Sequence, residues 1–348
     1  MKIGIIGAGL IGAERVDALL KLSKFTSGKI MLTKVVDVDS KALKSIHEKF
    51  GIQVSNDVMS IFNEKLDWIF ICTPHIFIKP FVLKCFEHGC NVLVEKPLGR
   101  SLLECDEILR KKPEHINLMV GFNYRFFNGV EALLADLRNK KFGKLISVNM
   151  VLGHGNSPGM ENSWKLNKEQ CGGGCLIDPG IHLIDLARII SNSSSLRFRG
   201  GSIWTGFWKT GVEEEAHILM SNDDNVTFNL QISLNRWRSS FFVEVNGEDG
   251  YGILEGRGRS YGLQSYKTGR RWAWMDGINQ AESEIVIVEP YIADNSFLKE
   301  TASILGIKFI TDSSSSESCQ TPCNYIEARE NMNILNMCQV ELAIPSVS

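Results

Sequence analysis

The sequence predicts two domains: an α/β domain built on a doubly wound parallel sheet over residues 1–122, then an α+β domain with a mostly antiparallel open sheet over 123–348. Three observations carry this. A glycine-rich turn follows an apolar run at the N-terminus, apolar runs and helical patterns alternate as far as Asn123, and beyond Tyr124 strand-like runs follow one another with one strong helix among them. A chain of 348 residues exceeds the ~100 to 200 of a single domain, so two domains are the natural expectation, each able to bury a core.

In "MKIGIIGAGLIGAERVDALL", Lys2 to Ile6 reads as a buried strand, and Gly7, Gly9 and Gly12 stand where it must turn sharply into a helix. Such a turn has two readings: a cradle where backbone amides approach phosphate, or a reversal at which glycine is merely the tolerant residue. "IMLTKVVDVD" weighs toward the cradle, because Asp37 ends the next apolar strand, where a carboxylate can accept from ribose hydroxyls. Ser23 to Lys29 forms a long helix-to-strand loop and explains the slightly extended spacing. Asp37 would repel a 2′-phosphate, and Val38 offers no compensating cation, so NAD is favoured over NADP. Asp37 is also an ordinary turn residue type.

Further strands are expected at Asp67 to Cys72, Asn91 to Pro97 (with its exit loop) and Asn117 to Asn123, and helices at Ile76 to His88 and Ser101 to Arg110. In the second half a helix is expected near Glu131 to Asn139 and another at Ile181 to Ile190. "LISVNMVL", "NVTFNLQISL" and "SFFVEVNG" have strand character, with a turn at "NGEDG". "DSSSSES" (Asp312 to Ser318) reads as a solvated loop and "YIEARENMNILNMCQ" as a closing amphipathic helix.

A formal net charge of −2 gives no electrostatic footprint for nucleic acid or an anionic membrane. No stretch approaches the ~20 apolar residues of a membrane span, and the N-terminus reads as a strand and not a signal peptide. The nine cysteines are odd in number, and Cys72, Cys85, Cys90 and Cys105 sit in apolar or helical patterns as small buried hydrophobes. Cys171 and Cys175 flank three glycines, and Cys319 and Cys323 flank Gln320 to Pro322, neither pair having the spacing of a zinc knuckle. No metal is expected, and reduced thiols point to the cytoplasm.

"GIIGAGLIG", "VVDVD", "ICTPHIFIKPFVLKCFEHGCNVLVEKPLG", "GFNYRF" and "GGGCLIDPGIHLIDLARII" run in this order. Together they resemble the Gfo/Idh/MocA family of oxidoreductases, which includes glucose–fructose oxidoreductase and inositol dehydrogenase. The likeness covers the first domain and reaches Ile190; beyond Gly200 it loosens to "NRWRSSFFVEVNGEDGYGIL". One departure is visible: the family often has a histidine five residues after the threonine of "TP", whereas this chain has Ile78 there and His75 earlier. The resemblance implies a Rossmann first domain binding NAD through Gly7, Gly9, Leu10, Ile11, Gly12, Asp37, Thr73, Pro74, Glu95 and Lys96. It also implies a homodimer or homotetramer.

Lys96 of "EKP" follows a buried strand at the carboxyl edge of the sheet, where ligands bind in doubly wound folds. There its charge can hold the nicotinamide ribose and steady a developing alkoxide; alone it would read as a solvated loop lysine. Asp178 fits a helix cap before Pro179. His182 falls four residues on, on the same helical face, with Asp185 three further. A histidine between two acids suits a group that takes and returns a hydroxyl proton, although the pattern in isolation also fits a satisfied helix-surface histidine. The resemblance implies catalytic roles for Lys96, Asp178 and His182.

Leu152 to Gly174 is a long polar segment of the kind that is functional or disordered. Trp164 is suited to pack on a sugar face, and His154, Asn162 and Lys165 to bond hydroxyls; a surface loop with one anchoring tryptophan fits as well. Tyr124 and Arg125, at the expected domain junction, rank as further substrate-side residues. The expected function is NAD-dependent hydride transfer at a secondary alcohol of a sugar, cyclitol or sugar derivative. Alternatives are a redox-neutral sugar enzyme that uses bound NAD transiently and a non-catalytic NAD-binding regulator.

Overall fold

The computed structural model describes residues 1–192, 195–289, 295–309 and 320–344. The segment Asp312 to Ser318 and Cys319 lie outside the described residues. The chain divides into two compact units, residues 1–123 with 295–332 and residues 124–294 with 333–348.

In the first unit six parallel strands are joined by helices. They are β1 (Lys2–Ile6), β2 (Met31–Val36), β3 (Val54–Ser55), β4 (Trp68–Ile71), β5 (Asn91–Glu95) and β6 (Leu118–Gly121), with helices α1 (Leu10–Phe25), α2 (Ser40–Phe50), α3 (Ile78–Glu87) and α4 (Leu102–Lys111). Their spatial order is β6-β5-β4-β1-β2-β3. The centre of this sheet is covered on both faces, which is why Ile5, Val35, Phe70 and Val92 are wholly buried in continuous apolar runs. The chain winds outward from β1 to β3 on one side and from β4 to β6 on the other, so the gap beyond the carboxyl ends of β1 and β4 is the topological switch point. Local signals set the helices: Asp39 caps α2 by accepting from the Lys41 amide at 2.8 Å, and Gly51 ends it at φ 68°.

The second unit holds an eight-stranded sheet: β7 (Leu145–Gly153), β8 (Arg197–Trp204), β9 (Glu215–Ser221), β10 (Thr227–Ser233), β11 (Ser240–Gly247), β12 (Gly250–Glu255), β13 (Gln264–Arg270) and β14 (Ile285–Glu289). Its order is β14-β13-β12-β11-β7-β10-β9-β8, antiparallel except where β7 lies parallel to β10. Alternation is clean, with Phe228, Leu230 and Ile232 buried between exposed Thr227 and Asn229. Helix α5 (Asn128–Arg138) packs on β12 and β13. After the single-turn α6 (Lys168–Cys171), α7 (Ile181–Ser191) packs on β7. Register places Gly153 beside Ser233 and Ser240, and Ser233 beside Glu215. The loops at 154–174, 205–214 and 234–239 therefore leave from one end of the sheet.

The single boundary expected at 122/123 is replaced by a discontinuous division. Helix α8 (Ser296–Ile304) and β15 (Cys323–Asn324) return to the first unit, where β15 pairs antiparallel with β6; α9 (Tyr325–Glu341) closes the described chain. The cause is chemical. Leu298, Ala302 and Leu305 complete the core around Leu19 and Leu22, and α8 supplies half of a buried charge cluster. Arg15, wholly buried on α1, donates to Glu95 at 2.7 Å, to Glu300 at 2.5 Å and to the Thr301 hydroxyl at 3.0 Å, with Phe297 under its guanidinium at 4.8 Å. Burial alone would weaken this charge, but Glu95 and Glu300 outweigh it and hold the guanidinium's pKa above its ordinary value. Replacing Arg15 with methionine would leave two carboxylates facing each other without a cation. Arg15→Met should destabilise the chain by about 3 to 5 kcal/mol in urea unfolding, whereas the exposed-face change Lys44→Met should move it by less than about 0.5 kcal/mol.

Candidate functional site

At the switch point, β1 ends in a turn whose three glycines answer to different constraints. Gly7 takes φ 107°, and a methyl group there would run into the Cys72 carbonyl at the end of β4. At Gly12 a methyl group would overlap the Gly7 carbonyl, so this glycine lets α1 pack onto the turn. Gly9 is different. Nothing lies within 4 Å of where its side chain would be, and no side chain caps α1, which begins at Leu10. The helix N-terminus is therefore an open cradle of the kind that receives phosphate. Leu10 is exposed and Ile11 half-buried at its rim.

Asp37 is fixed beside this cradle. Its carboxylate accepts from the Ala8 amide at 2.6 Å and from the Asp39 amide at 2.8 Å, tying the end of β2 to the glycine turn. Val38 next to it is exposed. Thr73 and Pro74 leave the end of β4 on the other side of the switch point, and the Thr73 hydroxyl is enclosed without a hydrogen-bond partner among the described residues. Ile78, where the family often carries histidine, is buried at the start of α3. Glu95 ends β5 with its carboxylate held by Arg15, and half-buried Lys96 follows through a cis peptide to Pro97. The donors and the open helix end fit a dinucleotide.

The second unit brings together most of its expected residues. Helix α7 starts at Ile181, and Asp178 stands before it at φ −143° and ψ 103°, outside helical geometry and joined to Pro179 by a cis bond. The expectation that Asp178 caps the helix and shares a helical face with His182 is corrected: its carboxylate meets the Lys165 ammonium at 3.0 Å. Asp185, the other expected acid, takes a two-pronged bond from buried Arg125, at 2.8 Å from Nε and 2.6 Å from a terminal nitrogen. The His182 ring is laid flat on Tyr124, with centroids 3.8 Å apart and planes 9° from parallel. Phe241 meets the same tyrosine edge-on at 5.5 Å. Asp178 raises the Lys165 pKa above the usual lysine range, against the opposing effect of burial; nearby Tyr261 adds to the rise.

Short turns hold the segment at 154–174. Ser163 accepts from the Lys165 amide at 3.3 Å, which sets the backbone from which Lys165 reaches Asp178. The Trp164 ring lies 5.8 Å from the Lys165 ammonium. His154 leaves the end of β7, its amide donating to the Ser233 carbonyl at 3.0 Å. The end of the glycine run is tied to Glu213, whose one carboxylate oxygen accepts from the amides of Gly174 at 2.9 Å and Leu176 at 3.2 Å. A side chain at Gly174 would collide with the Glu213 backbone. Burial raises the Glu213 pKa.

Two residues that sequence reasoning missed belong here. Arg257 lies over Tyr261 at 3.7 Å and over Tyr124 at 5.0 Å. Its only sequence signal is a loop "GRGRSYG" between two strands. Among the described residues the eight cysteines are free, and burial pushes the Cys338 thiol up to about 12. No group of three or more metal-ligating side chains occurs among the described residues, and no helix is long and apolar enough to cross a membrane.

This is the architecture of a dinucleotide-binding unit followed by an open-sheet α+β unit. The chain belongs to the Gfo/Idh/MocA oxidoreductase family. The family model described as an oxidoreductase family with an NAD-binding Rossmann fold matches residues 1–122, and that of the family's C-terminal domain matches residues 130–252. Among curated proteins the chain is similar to a 2,7-anhydro-N-acetylneuraminate hydratase of Mediterraneibacter gnavus, 26% identical over 260 residues that span 71% of this chain and 65% of that protein. It is also similar to a D-glucoside 3-dehydrogenase of Escherichia coli, 29% identical over 197 residues, 55% of this chain and 54% of that one. Matches thus span between about half and two thirds of these relatives. An NAD-binding oxidoreductase from Klebsiella pneumoniae shares the fold with a TM-score of 0.78 at 17% identity, over 99% of this chain and 96% of that one.

The glycine geometry makes a paired prediction. Gly9→Ala should fold normally and weaken NAD binding about tenfold or more, since its methyl group enters only the open cradle. Gly12→Ala should lower the melting temperature, because its methyl group meets backbone. Unchanged NAD affinity in a folded Gly9→Ala protein would reduce the motif to a tight turn.

Proposed function

We propose that the chain is an NAD-dependent oxidoreductase acting on a secondary alcohol of a sugar, cyclitol or sugar derivative. The observation that carries this reading is the contiguous polar cluster of the second unit, in which a buried histidine is held flat on Tyr124 and the Asp178–Lys165 pair lies near Tyr261. Gly7, Gly9 and Gly12 with the α1 amides would hold the pyrophosphate, and Asp37 the ribose. Bound NAD supplies the hydride acceptor. His182 takes the proton from the substrate hydroxyl, Lys96 steadies the negative charge that develops on the oxygen, and Asp178 with Lys165 orients the neighbouring hydroxyls. Both directions of reaction use these groups. The test is a panel of polyols, aldoses, sugar acids and nucleotide sugars with NAD, read by absorbance of the reduced cofactor.

A second reading draws on the similarity to a protein named as a hydratase. There the same groups would serve a redox-neutral reaction in which the cofactor is restored within each turnover. Product formation without net NADH would favour it over the dehydrogenase.

Cofactor choice rests on Asp37. NAD should bind more tightly than NADP, and Asp37→Ala should lose about 1.5 to 3 kcal/mol of NAD affinity in a fluorescence titration while narrowing the gap. Equal or tighter binding of NADP to the unaltered protein refutes the assignment.

The chemistry rests on His182 and Lys96. His182→Asn should keep NAD binding and lower turnover by roughly 10² to 10⁴, and Lys96→Ala should lower turnover and raise KM. The double variant should cost less than the two singles combined, because both residues act on one oxygen. Oxidation should rise with pH as the imidazole loses its proton, and that limb should vanish in His182→Asn. Near-normal turnover in both single variants would show the chemistry to lie elsewhere.

A further inference from the structure

The eight-stranded sheet of the second unit ends on one side at β14, and that edge is bare. Its neighbour β13 alternates in the ordinary way, with Gln264, Tyr266 and Thr268 buried. Ile285 stands opposite Thr268 and Ile287 opposite Tyr266, so both share the face on which α5 lies, whose Asp136 accepts from the Tyr266 hydroxyl at 2.7 Å. Yet α5 packs on β12 and β13, and the two isoleucines stay 61% and 49% exposed. Val286 and Val288, on the other face, are each 53% exposed. Four consecutive apolar residues thus meet water on both faces of a strand whose outer edge pairs with no strand among the described residues. Sheet edges are normally protected by charged side chains, proline, a bulge or a covering segment. Residues 285–288 contain no charge and no proline, and their register with β13 is continuous.

The geometry points to this edge as the surface on which a second copy of the chain docks, β14 against β14 about a two-fold axis, joining two eight-stranded sheets into one. The strand is its own complement. Residues that face each other in an antiparallel pair project to the same side of the sheet, so a two-fold axis through Val286 sets Ile285 against Ile287 and valine against valine. Glu284 then faces Val288 and not a like charge, and it already accepts from the Tyr251 hydroxyl at 2.7 Å. On the helical face, the isoleucines of both copies would fill the valley between α5 and its symmetry mate. The connection from β13 to β14 adds Trp272 and Trp274, 59% and 62% exposed, with the Arg271 guanidinium 5.2 Å from the Trp272 ring. Antiparallel pairing carries each connection along the far end of the partner's β14. Tryptophans bury ~150 to 250 Å² each, and with the four β-branched residues the patch is of the order of the ~800 Å² that each side of a stable interface contributes. The open face of the sheet is the poorer candidate, because it sets exposed His217, Thr227 and Asn229 among its apolar residues, whereas the edge is apolar without a break.

This inference is independent of the reaction, and its test reads mass and not turnover. Sedimentation equilibrium of the full NAD-loaded chain should show a dimer at micromolar concentration. Ile287→Lys and Ile285→Glu, both at exposed positions, should each keep the melting curve of the unaltered protein and weaken self-association about 100-fold. Mixing the two variants should restore a dimer, because the pairing sets the new ammonium directly opposite the new carboxylate. Thr227→Lys, on the open face, should leave the dimer intact. A monomeric unaltered chain, a dimer that survives in Ile287→Lys or is lost in Thr227→Lys, or a mixture that stays monomeric overturns the inference.

Discussion

The first unit is organised around one buried positive charge. Arg15 comes five residues after the start of α1, the helix that opens at the glycine turn, and it reaches in one direction to the end of β5 and in the other to α8. A buried guanidinium must find anionic partners or forfeit its hydration without return. Glu95 and Glu300 meet that demand from strands and helices far apart in sequence. The consequence is geometric: the helix whose N-terminus makes the cradle, and the strand end that carries Lys96, are joined by a bond that neither can leave cheaply. The same demand explains why 295–332 belongs with a domain that ended, to all local appearance, near Asn123.

Carboxylates do comparable work in the second unit, but on backbone. Glu213 holds the amides of Gly174 and Leu176, and the fully buried Glu214 accepts from the amides of Gly206, Phe207 and Trp208 at 2.9 to 3.1 Å. Two adjacent residues just before β9 thus fix two loops at the same sheet end. Buried acids that bond only to amides avoid the entropic cost of immobilising a long cationic side chain. Gly174, the last of the glycine run, is part of this arrangement, since a side chain there would collide with the Glu213 backbone.

How much of this was legible follows from where each signal resides. The glycine turn, the acid ending β2 and the step from Glu95 to Lys96 are local, each placed by strand ends a few residues away, and sequence spacing captures them. Strands β7, β10 and β11 announce themselves by alternation. Helix α8 carries a helical pattern, but which core it completes is decided by Arg15, some 285 residues earlier, and no local pattern encodes that. Asp178 shows a different limit: helical spacing put it on the face of His182, whereas the backbone before Pro179 leaves the helical region, and the spacing rule no longer applies. Arg257 was invisible because its significance lies in two tyrosines that flank it in space, one of them 133 residues away.

The environment of His182 shows how the fold adds to what helical spacing suggests. Asp178 and Asp185 are the two acids that the spacing brings near the ring. In the structure those acids are engaged by Lys165 and Arg125, and the ring plane is set by the face of Tyr124. Stacking fixes a plane without supplying charge. Tyr124, itself met edge-on by Phe241, thus sets the plane in which the imidazole lies. A site arranged this way can keep one histidine geometry and adapt to different substrates by changing the polar residues at its edge, which is where Lys165 and Arg257 stand.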